Sequence, residues 1–169
     1  MNEGVPIPQP DDIGENERDD AMGAYLMMFA TWAVGLPLPL INLVASAIYF
    51  GVNARSSRFV AFNAFQSLTS QIFIAVINAI ALAWIIAILA GGAIFPASFF
   101  TYLALAGILN ILYLVFSVVA MVRARRGELY YIPFFGAQAF SKYYGEKATA
   151  DWVRRRKTPV NRPPGALGD

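Results

Sequence analysis

The side chains able to do chemistry in this chain are few, and most are amides and hydroxyls. There is no His and no Cys. Thiolate nucleophiles, disulfides, haem ligation by His and His-type zinc sites are therefore excluded. Between Asp20 and Glu146 the only acid is Glu128. No buried carboxylate is at hand as a general base, and no activated nucleophile is in view. The polar residues that remain sit inside apolar surroundings: Asn42 and Ser46, then Asn63, Gln66, Ser70 and Asn78, then Asn110 and Ser117. An amide surrounded by hydrocarbon must find a hydrogen-bond partner, and such contacts are worth ~0.6–2 kcal/mol each. The chemistry they suit is cohesion between helices. The sequence predicts a polar network that faces a bundle interior or a partner subunit, with no catalytic residue, no metal site and no cofactor.

Those residues need elements to hold them. From Phe59 to Val122, sixty-four consecutive positions carry no Asp, Glu, Lys or Arg. The helices of a soluble domain need a wet face, so a run this long points to lipid as the surrounding medium. The break at Gly91-Gly92 to Pro96 divides it into two stretches. Each exceeds the ~20 apolar residues that cross a bilayer. The apolar fraction of 57% and charged fraction of 14% place the chain in the membrane class, since soluble domains carry ~25% charged residues.

A further hydrophobic segment covers residues 22–51 and is interrupted by Gly35-Leu36-Pro37-Leu38-Pro39. Proline removes a backbone donor and clashes with the preceding turn, so a helix breaks or kinks there. Two geometries are open. One is a single broken span, Tyr25–Val34 followed by Leu38–Phe50. The other is a re-entrant hairpin with both ends on one side of the membrane. Asn42, Ser46 and Tyr49 share one helical face in either case.

The next helix is expected from about Arg58 to Ala90, with Ser56 or Ser57 as its cap. Asn63, Gln66, Ser67, Ser70, Gln71 and Asn78 fall on one side of it. Ala75, Ala79, Ala83 and Ala87 recur every fourth position, a spacing that lets two helix backbones approach closely. The following span, Phe99–Val122, places Asn110, Tyr113 and Ser117 on one face. Its expected cap is Ser98. It ends at Arg123, Arg125 and Arg126, which can snorkel to headgroups. Residues 127–145 hold seven aromatics in nineteen positions. No run there is long enough to span, and Ala137–Tyr144 is expected as a short amphipathic helix in the headgroup zone.

The expected fold is thus all-α: a polytopic membrane helical bundle of three to four hydrophobic segments, the first broken at Pro37/Pro39, with a C-terminal interfacial helix. Residues 1–20 are expected as a disordered acidic tail. Residues 21–145 form the membrane domain. Residues 146–169 form a basic, Pro-rich tail, expected to be cytoplasmic.

Seven of the eleven acids lie in residues 1–20, and ten of the thirteen bases follow residue 122. By the positive-inside tendency, Arg55, Arg58 and the C-terminal tail belong on the cytoplasmic side, and the Gly91–Pro96 turn outside. Arg55, Arg58, Arg123, Arg125, Arg126 and Glu128 are candidates for anchoring at the interface or binding lipid headgroups. Glu128 is expected either to pair locally with a neighbouring Arg or to latch onto Arg55 or Arg58.

Two stretches carry a family resemblance: Arg58-Phe59-Val60-Ala61-Phe62-Asn63-Ala64-Phe65-Gln66, and Ala124-Arg125-Arg126-Gly127-Glu128-Leu129-Tyr130-Tyr131-Ile132-Pro133-Phe134-Phe135-Gly136. Over about residues 22–145 the chain resembles small bacterial membrane proteins related to the twenty-kilodalton Tic subunit of the chloroplast inner-envelope import machinery. In that family a His is frequent where this chain has Asn63. The resemblance implies a helical bundle with three or four crossings. It also implies a link to protein translocation or, in magnetosome-forming bacteria, to organelle maturation. The expected function is that of a non-enzymatic accessory, scaffold or assembly subunit of the bacterial inner membrane, with a conduit component as the alternative. The expected partners are the bilayer and another membrane subunit or a second copy, with no nucleic acid.

Overall fold

The computed structural model describes residues 7–29, 39–145 and 160–164. Five α-helices and no strand occur among them: α1 Glu15–Leu26, α2 Pro39–Asn53, α3 Arg58–Ala90, α4 Ala97–Arg125 and α5 Phe135–Tyr144.

Each boundary has a local cause. Gly14 precedes α1, and its N–H donates to the Glu17 carboxylate at 3.2 Å. Glu15 and Glu17 occupy the first turn, where negative charge complements the helix dipole. Ser57 caps α3, its hydroxyl accepting from the Val60 N–H at 3.2 Å. The expected Ser98 cap is absent; α4 starts at Ala97 straight after Pro96, with no side-chain cap, and proline supplies the extended entry. Helix α4 stops at Gly127, whose φ of 74° is the left-handed conformation that ends helices. The Glu128 and Gly127 N–H groups return to the Arg123 and Ala124 carbonyls at 2.9 Å.

Helices α3 and α4 are long and apolar enough to cross a membrane. Only 6% of the most apolar stretch of α3, and 17% of that of α4, is buried within the protein. A core helix of a soluble protein would be mostly covered, and these two are not; their exposed apolar faces are those of helices suited to lipid. The two helices form an antiparallel hairpin. Ile74, Ala81 and Ile88 are buried at seven-residue spacing on α3, facing Phe99 and Ala106 on α4, as in coiled-coil packing. Trp84 meets Phe99 edge-on, with ring centroids 5.6 Å apart.

The expected count of three to four spanning segments is corrected: among the described residues two helices are long and apolar enough to span. The stretch expected as one broken segment contributes to two separate short helices. Helix α1 begins at Glu15, inside the expected tail, and its first two turns are charged. Helix α2 has fifteen residues, about 23 Å of helix, too short for a ~30 Å hydrocarbon core. Both lie along the first half of α3. Contacts fix their directions: Tyr25 bonds Asn63 while Glu15 and Asp19, earlier on α1, meet Arg125 at the end of α4 that lies beside the start of α3; on α2, Ser46 bonds Gln71 and Phe50 meets Phe65. Helix α1 therefore runs parallel to α3 and α2 antiparallel to it. Glu15 and Asn53 lie at the same end, the hairpin geometry of the two left open by the sequence. Pro37 and the rest of residues 30–38 lie outside the described residues.

The expected disorder of residues 1–20 is also corrected where the chain is described. Ile7 and Ile13 are buried, Pro10–Asp12 is a 3-10 turn, and Arg18 donates to the Ile13 and Pro10 carbonyls at 3.0 and 2.7 Å. Composition read these residues as too polar to order themselves; a preformed base supplies the missing apolar surface. Ile13, Ala21 and Tyr25 pack with Phe59, Val60, Ala120, Ala124 and Ile132. Ile7 joins Phe62, Ala139, Phe140 and Tyr144. Helix α5, slightly longer than expected, packs its Gly136, Ala139, Phe140 and Tyr144 inward.

Candidate functional site

At the centre of the base sits Gln66, fully buried. Its amide nitrogen donates to the Tyr25 hydroxyl at 2.8 Å and to the Tyr130 carbonyl at 3.1 Å. Its amide oxygen accepts from the Ile132 N–H at 3.1 Å. One side chain thereby joins α1, α3 and the loop after α4. The Tyr25 hydroxyl donates to Asn63 Oδ1 at 3.1 Å, and Asn63 Nδ2 donates to the Phe59 carbonyl at 2.9 Å. Gly136 lets the loop come this close, since a Cβ there would lie 2.6 Å from the Tyr131 Cα and 2.7 Å from Gln66 Oε1.

The cluster continues upward along α3. The Ser67 hydroxyl donates to the Ala24 carbonyl at 2.8 Å and accepts from Gln71 Nε2 at 3.2 Å. Ser46 on α2 donates to Gln71 Oε1 at 2.8 Å. Ser70 turns back to the Ser67 carbonyl at 2.9 Å. Tyr49, on the same face as Ser46, donates to the Asp20 carbonyl at 2.7 Å. Asn42 is half-buried on α2. The stripe expected on α3 is thus closed over by α1, α2 and the loop, and lines no open channel among the described residues.

Higher in the hairpin, Asn78 and Asn110 exchange bonds across α3 and α4, at 3.2 and 2.9 Å. Ser117 is buried on α4. The alanine series behaves differently. Ala75 is half-buried, while Ala79, Ala83 and Ala87 are exposed; the seam with α4 uses Ile74, Ala81 and Ile88 instead.

The charged residues frame the lower edge. Arg123 pairs with Glu128, the local arrangement, and no latch from Glu128 to Arg55 or Arg58 forms. The tie between elements comes from Arg125, which meets Asp19 at 2.7 Å and Glu15 at 3.3 Å on α1. Arg55, Arg58 and Arg126 are exposed.

Two participants escaped the sequence reading. Tyr25 looked like the start of a span; nothing local marks it as the partner of residues some forty positions on. Asn161 lay in a Pro-rich tail, yet it is buried. Its amide donates to the Pro8 and Gly127 carbonyls at 2.7 and 2.9 Å, and its side-chain oxygen accepts from the Leu129 N–H at 2.7 Å. Gln9 Nε2 donates to the Asn161 carbonyl at 3.0 Å, and Gln9 Oε1 accepts from the Val160 N–H at 2.8 Å. The N-terminal and C-terminal segments are stitched together on one face. Burial pushes the phenols of Tyr131 and Tyr144 well above their ordinary value. Tyr144 Oη is the one buried side-chain polar atom without a bond among the described residues. No group of three or more acids suited to a metal ion occurs among them.

Neither curated proteins nor solved structures give a match to this chain. A family model does: the magnetosome magnetite crystal formation protein family (MamF/MmsF) matches residues 17–138. That finding corrects the Tic-related assignment. The stretches that carried the resemblance, Arg58–Gln66 and Ala124–Gly136, lie inside the matched range. They encode features that different membrane hairpins can share: a capped helix start, an Arg-Arg-Gly helix stop and an aromatic loop at the membrane surface. The match spans all of α3 and α4 and most of α1, and the chain belongs to the magnetosome magnetite crystal formation protein family.

Proposed function

We propose that this chain is a non-enzymatic membrane subunit that supports magnetite crystal formation by packing against other membrane helices. The observation that carries the reading is the use to which the polar side chains are put. Gln66, Asn63, Ser67, Gln71 and Ser46 are bonded to other parts of the same chain, and so serve cohesion. Away from the charged lower edge, the helices offer outside partners apolar faces: Val44, Ile48 and Val52 on α2, and Ala79, Ala83 and Ala87 on α3. Small residues at four-residue spacing suit close helix approach, by a second copy or a different subunit.

The reading extends to orientation. Arg55, Arg58, Arg125 and Arg126 lie at the same end as the two stitched terminal segments, and basic residues favour the cytoplasmic side. The Gly91–Pro96 turn then faces the compartment in which the crystal grows. The membrane is one continuous with, or derived from, the bacterial inner membrane.

The test is complementation in magnetosome-forming cells lacking this chain. A variant with Ala79, Ala83 and Ala87 all changed to Leu should be expressed and folded, yet restore smaller crystals than the wild type. Full restoration by that variant would sink the role given to this face.

A further inference from the structure

A cleft of about 400 Å³ lies between α3, α4 and the loop that precedes α5. Phe73, Ile74, Leu112, Phe116, Pro133 and Phe134 line it, and the wall is almost wholly apolar. The volume falls within the ~300–1,000 Å³ of small-molecule sites. Its rim is open: Phe73, Leu112 and Phe134 are 47%, 44% and 76% exposed. Phe134 is held at φ 70°, the only described non-glycine residue in the left-handed region. Such a conformation is costly for a bulky residue and persists only where the surroundings enforce it.

What fills this cleft follows from its depth. It sits between two membrane-crossing helices, on the polar-base side of the Asn78–Asn110 pair. On α4, Leu109, Leu112 and Phe116 share a face at i, i+3, i+7, and seven residues beyond Phe116 that face reaches Arg123. Two helical turns separate them, about 10 Å. Glu128 occupies one nitrogen of Arg123, and half of that side chain stays exposed. Arg126, also exposed, follows one turn later. An apolar slot inside the leaflet with a cation at its surface end matches one molecule class: a phospholipid with an anionic headgroup. We propose that the cleft holds one acyl chain of such a lipid, its phosphate at Arg123 and Phe134 lying against the chain as a side wall.

The probe is a phosphatidylglycerol carrying a diazirine in one acyl chain, reconstituted with the full-length protein in vesicles and illuminated. Labelling should concentrate on Leu112, Phe116 and Phe134. Ile111 and Val115, which point elsewhere on α4, should be labelled less. Unlabelled phosphatidylglycerol should compete better than phosphatidylcholine. Arg123→Gln should reduce that headgroup preference about fivefold, the factor expected for one basic residue at a membrane surface, while Arg123→Lys keeps most of it. Leu112→Trp, which fills the slot, should abolish the concentrated labelling; its thermal midpoint in detergent reports whether it folds. Because the mapping itself is made on the wild type, misfolding of a variant does not remove the test. Even labelling around α4, or equal competition by both lipids, would overturn the proposal. So would cross-linked dimers whose contacts map to the cleft, which would give the surface to a second copy.

Discussion

Gln66 is the residue on which most of the base depends. Gln66→Ala would leave the Tyr130 carbonyl and the Ile132 N–H without their partner, and each orphaned buried group costs ~1–3 kcal/mol. A loss of about 3 kcal/mol is expected in reversible unfolding in mild detergent; a change within error would show that water replaces the amide freely. Gly136→Ala should be worse, because the added methyl meets backbone at 2.6 Å; it should abolish recovery of monodisperse protein. The raised phenols of Tyr131 and Tyr144 give a pH signature. A phenol whose folded value lies above its unfolded value stays protonated longer in the native state. The unfolded chain then releases protons first, so stability is complete below pH ~10 and falls as pH rises beyond it. Denaturation midpoints measured from pH 8 to 11 should be flat and then decline, and Tyr144→Phe should flatten the decline. At this scale the sequence was readable where a residue's need was local. Amides in an uncharged run must have partners, and Asn63, Gln66 and Ser70 could be named for that reason. The partner that Asn63 and Gln66 share could not, since Tyr25 arrives from a distant part of the chain; nor could Asn161, whose bonds to Pro8 and Gly127 join segments far apart in sequence.

Among the elements, α3 and α4 were legible almost to their ends, because charge-free length and a Gly-Gly break mark two long apolar helices joined by a turn. Their cohesion in the apolar half can be measured. A double-mutant cycle on Asn78→Leu and Asn110→Leu should give a coupling near ~0.6 kcal/mol, the usual value for such pairs in membranes; zero coupling would mean the two amides do not meet. Helices α1 and α2 were less legible. The prolines announced a break but not which way the chain returns. Register with α3 decides that, through Ser46 on Gln71 and Ala24 on Ser67. The acidic start of α1 also hid an ordered segment, because composition registers how polar a stretch is and not what surface awaits it. Deleting residues 2–13 removes two buried isoleucines, each worth ~1.5–3 kcal/mol. The thermal midpoint in detergent should fall clearly, whereas a free tail would leave it unchanged.

For the molecule as a whole, the polar cluster acts as a bolt. It fastens a short hairpin, an aromatic loop and both terminal segments to one end of a two-helix membrane span. Residues 7–13 and 160–164, stitched together at one end of the hairpin, are expected on one face of the membrane and the Gly91–Pro96 turn on the other. The family match is compatible with this plan and indifferent to it, so the plan needs its own test. The chain has no Cys, which makes single-cysteine variants at Asp11, Ala93 and Val160 clean reporters. In sealed vesicles of one orientation, treated with a membrane-impermeant maleimide, Asp11→Cys and Val160→Cys should react together and Ala93→Cys only after the vesicles are opened, or the reverse for the opposite orientation. Reaction of Asp11→Cys in step with Ala93→Cys would contradict the account, because the first helices would then cross the bilayer rather than return within it.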